Sequence, residues 1–228
     1  MTGQPVSPRV LVGIIANDSA RFSLFLASTL KLDTAGLDAQ VEIVIGGDWC
    51  GARNTLARMC VDGGFDYLWF MDDDHAFPPN ILKQLLRHGQ PLVNPICLTR
   101  RAPFPPVCYT GKTGPNMYDP IRLTGRAADE LVELEAGGCA GMLIRRDVLE
   151  AVGYPWFEYT DRSEDIVFCE KAKAAGFKIH ADMSVRLGHI TTATVWATQD
   201  AEGRWLTGIN VGSDMLLTVP LATEGEGS

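Results

Sequence analysis

The chain has 228 residues, 46% of them apolar and 21% charged, which fits a globular protein and excludes extensive disorder. With 20 Lys and Arg against 28 Asp and Glu, the net charge of −8 excludes a wholly basic nucleic-acid-binding domain, though not a local basic face. The longest clean apolar run, residues 10–16, is too short to span a bilayer, no export signal precedes it, and the expected compartment is the cytoplasm. None of the six cysteines forms a CxxC pair, so they read as small apolar core residues and not as a zinc cluster.

Residues 9–16, RVLVGIIA, are short, branched and apolar, and predict a strand buried on both faces. Phe22, Leu26 and Leu30, with Phe25 alongside, predict one face of a helix over 19–31. A second buried strand is expected at 41–45, a helix at 53–61 ended by Gly63 and Gly64, and a third strand at 67–71. That strand runs into Asp72, Asp73 and Asp74. Pro78 and Pro79 open a helix reaching Arg87, and 92–96 is a fourth strand. This alternation implies a mostly parallel sheet flanked by helices, with ligands beyond the carboxyl ends of the strands, where the three aspartates stand.

The alternation stops after residue 97. Residues 97–126 read as a long excursion with a short strand near 107–109. Strands at 131–135 and 141–145 flank a Gly137-Gly138 turn, helices follow at 147–152 and 163–175, and strands at 177–181 and 185–187. Weak alternation at 194–198, 204–207 and 215–219 predicts a small β appendage.

Three features carry chemistry. Adjacent carboxylates at Asp72 to Asp74 repel one another, and a divalent cation relieves that repulsion; in extended backbone Asp72 and Asp74 converge while Asp73 points away. A solvated Asx turn would use the same residues. Glu164 and Asp165 follow Ser163 at a helix start, where acids favour the helix dipole and Ser is a good cap, or where a carboxylate serves as a general base. His189, in LGHI, gains meaning only beside the other two clusters.

The ordered set then resembles a known family. GARNTLA at 51–57, an apolar strand, Asp72-Asp73-Asp74 and Pro79 look like the donor half of GT-A glycosyltransferases, especially the family 2 type. GGCAGMLIRRDVLEAVG at 137–153, SEDIVFCEKAKAAGFKI at 163–179 and Gly188-His189 resemble the acceptor half. The resemblance implies a GT-A (Rossmann-like) mixed sheet over 1–190, with a donor half near 9–96 and an acceptor half near 97–190, followed by a short β tail over 191–228. It implies transfer of a sugar from a nucleotide-diphosphate sugar, a UDP-sugar by preference, to a hydroxyl. Asp74 and His189 would hold Mn2+ or Mg2+, with Asp72 on the ribose or on the metal through water. Asn17, Asp18, Asp48, Arg53 and Asp73 would lie on the donor side, and Gly137 and Gly138 would admit the sugar closely. Asp165, with Glu164 beside it, would be the catalytic base.

The excursion carries Arg100, Arg101, Lys112, Arg122 and Arg126 against Asp119 alone. With Trp196 it suggests a face for an anionic acceptor, such as a hydroxymethylated pyrimidine in DNA, the substrate of similar small phage enzymes. A nucleotidyltransferase would place a Gly-rich basic loop after the first strand, where this chain has Asn17-Asp18-Ser19. A non-catalytic binding protein on the same fold is the other alternative.

Overall fold

The computed structural model describes residues 7–16, 22–101, 103–211 and 215–220. β1 (Arg9–Ala16) lies between β2 (Asp38–Ile45) and β3 (Tyr67–Asp72), parallel to both. Its side chains alternate between two cores. Leu11 and Ile15 face one side with Leu68 and Phe70, while Val10, Val12 and Ile14 face the other with Trp69 and Met71. Helix α2 (Trp49–Asp62) closes the first core. A Cβ on Gly13 would lie 3.0 Å from Leu56 of α2, so the missing side chain lets that helix sit close to the sheet. Helices α1 (Ser23–Leu30) and α3 (Ile81–Leu86) close the second core, Phe25 meeting Phe77 edge-on at 6.4 Å.

The remaining strands of the main sheet are β4 (His75–Ala76), β5 (Leu92–Cys97), β8 (Leu131–Leu134), β10 (Leu143–Arg145) and β11 (Ile179–His189). The order is β2-β1-β3-β10-β5-β11-β4, with β8 also on β11. β10 runs antiparallel between β3 and β5, so the parallel set is split and the sheet is mixed. Helices α4 (Arg146–Val152) and α5 (Glu164–Ala174) cover the first core. β6 (Cys108–Gly114), β7 (Met117–Pro120) and β9 (Ala136–Gly137) form a small sheet, and β12 (Ala193–Gln199), β13 (Trp205–Val211) and β14 (Met215–Pro220) another. The expected mixed α/β architecture with a C-terminal β appendage is present.

Several local expectations change. β2 is an edge strand and not a buried one: Val41, Ile43 and Ile45 are 46%, 54% and 65% exposed. In α1 the Phe22-Leu26-Leu30 stripe does not form the buried face. Leu26 and Leu30 are exposed, while Phe25 and Ser28 point inward. α2 begins four residues early because Asp48 caps it, accepting from the Gly51 N–H at 2.8 Å. The stretches 131–135 and 141–145 do not pair as neighbours, since β8 joins β11 and β10 enters between β3 and β5. The two expected strands at 177–181 and 185–187 are one strand, β11, interrupted by a bulge between Asp182 and Arg186.

Candidate active site

Strands β3, β5 and β11 end at one cleft of about 330 Å3, with β4 and the start of α5 on its rim. A groove of about 760 Å3 along α2 is larger, but it holds none of the three chemical clusters.

The aspartate run leaves β3 and divides. Asp72 Oδ2 accepts from Arg53 Nη2 at 3.2 Å, and its Oδ1 is buried without a hydrogen-bond partner among the described residues. Asp73 is buried, donates its N–H to Ile15 O at 3.2 Å, and does not line the cleft. Asp74 turns back into it. One Asp74 oxygen lies 2.8 Å from His75 Nδ1; the other lies 3.0 Å from Arg100 Nη1 and 3.4 Å from His189 Nε2. Burial opposes the Asp74 charge, but His189 and His75 outweigh it and hold the carboxyl well below the usual range.

His189 ends β11, and cross-strand pairing sets it opposite His75 of β4. The two rings stack with centroids 4.4 Å apart. His189 Nδ1 lies 3.0 Å from the Leu98 carbonyl oxygen, which can only accept. Nδ1 therefore carries a proton, and Nε2 faces Asp74 Oδ2. An imidazole nitrogen and a carboxylate oxygen 3.4 Å apart are of the types that hold a divalent ion, so the donor set fits one. His75 is 3% exposed, with its Nδ1 on the Asp74 carboxylate. Cys97 ends β5, where burial pushes its thiol up to about 12.

The first turn of α5 also lines the cleft. Ser163 holds the cap position without capping the helix; its hydroxyl donates to Asp165 Oδ1, which also accepts from the Ile166 N–H at 2.8 Å. Asp165 Oδ2 is turned toward Gly138, where an added Cβ would lie 3.6 Å from it. Burial raises the Asp165 pKa, and Glu164 adds to the rise, against the lowering effect of the Ser163 hydroxyl. Glu164 Oε1 accepts from Arg53 Nε at 3.3 Å. Arg53, 4% exposed and over the Phe70 ring, thus joins the aspartate run to the α5 turn and forms the cleft floor. Burial alone would lower its pKa, but Asp72 and Glu164 hold it above the ordinary value.

The other expected residues are spread more widely. Asp48 is occupied in capping α2 and borders a small recess beside Gly46, Gly47 and Trp49. Asn17 and Asp18 lie outside the described residues. Gly138 lines the cleft, while Gly137 is buried against Asn94, whose side chain would be 2.8 Å from an added Cβ. Arg100 reaches the cleft through Asp74. Arg101 and Arg122 are exposed and do not line it, and Trp196 lies on β12 at 57% exposure. Lys112 pairs with Glu170 and Arg126 with Glu130, so much of the excursion's basic charge is offset locally. The aromatic rims Trp49 and Tyr159, and His75 and Cys97, were not singled out from the sequence. His75 adjoins the aspartate run, a signal that could have found it; nothing in the sequence marks the other three.

No protein family and no curated protein matches the sequence. Solved structures do resemble the fold. The A197 protein from STIV is 14% identical, with a TM-score of 0.54 over 96% of this chain and 100% of that one. GalNAc-T7, in a structure titled as containing UDP, GalNAc and Mn2+, is 13% identical with a TM-score of 0.59 over 80% of this chain. The alignment spans 43% of the GalNAc-T7 chain. At such identities the likeness defines the fold: a GT-A-like α/β sheet, shared with a glycosyltransferase.

Proposed function

We infer that the protein is a divalent-metal-dependent glycosyltransferase that moves a sugar from a nucleotide-diphosphate sugar to an acceptor hydroxyl. One observation carries this reading. A single cleft is lined by Asp74 and His189, whose donor atoms suit a cation, and by Asp165, a carboxylate with a raised pKa. Sugar transfer uses both groups, a cation on the leaving diphosphate and a base on the attacking hydroxyl.

A divalent ion bound there would offset the charge developing on the departing diphosphate. Asp72 and Asp74 hold the donor end, with Asp72 fixed by Arg53. Arg100, now on Asp74, is placed to turn to the diphosphate. Asp165 Oδ2 takes the acceptor proton as the hydroxyl attacks, while Ser163 and Ile166 hold Oδ1 in place. Gly138 leaves room between that oxygen and the sugar. Trp49 and Tyr159 offer ring faces to the base or the sugar.

The donor is read as a UDP-sugar, with the recess beside Asp48 and Trp49 as the base end. GalNAc-T7, titled with UDP and Mn2+, supports that choice by fold alone. A thermal-shift screen of nucleotide sugars with and without Mn2+ tests it, because a ligand that binds only the folded state raises Tm. A Tm rise that needs both sugar nucleotide and metal is the expected result; no rise with any nucleotide sugar would refute the reading.

A further inference from the structure

We propose that Cys97 and His75 join His189 in a mixed sulfur–nitrogen metal site that takes a borderline transition ion such as Zn2+ or Co2+ in preference to Mg2+. The inference rests on the cation end of the cleft described above but changes its ligands and its metal. It follows from sheet register. Leu187 of β11 lies opposite Cys97 of β5, and two residues further along the same face of β11, His189 lies opposite His75 of β4. Three adjacent strand ends thereby converge on one point. The Cys97 sulfur and one ring nitrogen from each histidine all lie within 4.8 Å of one another. Tetrahedral zinc bonds of about 2.0–2.3 Å need ligands closer than that, and the two imidazoles, stacked at 4.4 Å, must turn out of the stack to direct both nitrogens at one ion.

One further observation points to a ligand. His189 donates Nδ1–H to the Leu98 carbonyl, the outer hydrogen bond that fixes the tautomer of a metal-bound imidazole. Asp74, 2.8 Å from His75 Nδ1, is placed to orient that ring. Three protein ligands leave a fourth position open, as in catalytic zinc sites. The thiolate sets the metal preference, because sulfur favours zinc-class ions and Mg2+ demands oxygen. On binding, the Cys97 S–H bond breaks, its proton passes to solvent, and the sulfur lone pair forms the metal bond.

The test is Co2+ titration of the metal-free full-length protein, read by absorption. The expected result is a near-ultraviolet thiolate-to-cobalt band with intense visible bands at one equivalent. Zn2+ should abolish both, and a large excess of Mg2+ should not. Cys97→Ser should lose the thiolate band and bind Zn2+ at least about ten-fold more weakly, with Tm of the metal-free protein unchanged. His75→Gln should shift the visible bands. Co2+ bound without a thiolate band, or a band that survives in Cys97→Ser, would overturn the proposal. Because Mn2+-dependent binding of nucleotide sugars is measured separately, a missing thiolate band with that binding intact would leave the glycosyltransferase reading standing while this site falls. Failure of donor binding alongside a cobalt thiolate band would have the opposite meaning.

Discussion

Asp165 carries the most specific chemical expectation of any residue. Its Oδ1 is held by Ser163 and Ile166, so exchanging the acid for an amide leaves an acceptor there while removing the base. Asp165→Asn is expected to bind donor and metal as the parent does and to lose transfer by about 10²–10⁴-fold, measured as kcat at saturating donor. The same change reveals a cost of function. A carboxyl whose folded-state pKa is raised is disfavoured in its charged form, so at neutral pH it subtracts from stability. The Tm of Asp165→Asn should therefore be no lower than the parent's, against the loss of about 1 kcal/mol typical of point changes; a marked fall would refute the burial argument. Arg100 gives an expectation of opposite sign. It pairs with Asp74 while half-exposed, and such a pair is worth about 1 kcal/mol or less. Arg100→Gln should tighten Mn2+ binding without donor, by up to about five-fold in calorimetry, and raise the donor KM. Asp74, His189 and Asp165, which line one cleft, were legible as an ordered set, since an acid after a strand, an acid at a helix start and a lone His each carry a structural reading on their own. Cys97 and Trp49 were not, since an isolated Cys or Trp looks the same in a core as in a cleft.

At the scale of elements, the bulge in β11 links packing to the site. Asp182 is fully buried there and accepts from Arg87 Nη2 at 2.9 Å, the Ser184 N–H at 2.9 Å and the Ser184 hydroxyl at 2.6 Å, with His88 Nε2 at 2.7 Å. These contacts shape the bulge between Asp182 and Arg186, beyond which β11 runs on to His189. Burial opposes the Asp182 charge, but Ser184, His88 and Arg87 hold the pKa below its ordinary 3.8. The folded value lies below the unfolded one. The stabilisation is thus complete above the ordinary carboxylate pKa and is lost as pH falls through the folded value. Asp182→Ala should cost about 2 kcal/mol near pH 7, or roughly 4–8 °C in Tm, and flatten the fall in stability below about pH 4. An unchanged acid limb in urea unfolding would count against it. The sequence marked most elements but not their neighbours. Residues 143–145 read as a strand from branched apolar side chains, yet nothing local says that they enter between β3 and β5. β2 read as buried because Val41, Ile43 and Ile45 are apolar, a property that edge strands share.

For the whole molecule, stability should be uneven. The main sheet has cores on both faces, and β1 is almost wholly buried. By contrast β12, β13 and β14 pair only with one another among the described residues. Register puts Val195, Ile209 and Leu217 in one row and Ala197, Thr207 and Val219 in the next, on a single face. That face stays open: Val195 is 66%, Leu217 42% and Val219 43% exposed. A three-stranded sheet without a covered apolar face gains little from burial and opens at small free-energy cost. In hydrogen exchange, the amides of β12–β14 should therefore lose protection orders of magnitude before those of β1 and β3, with no change in Tm or in Co2+ binding when residues 193–228 are removed. Protection of β13 equal to that of β1, or a fall of more than about 4 °C on truncation, roughly 1 kcal/mol for a chain this size, would mean that the appendage shares the cooperative core.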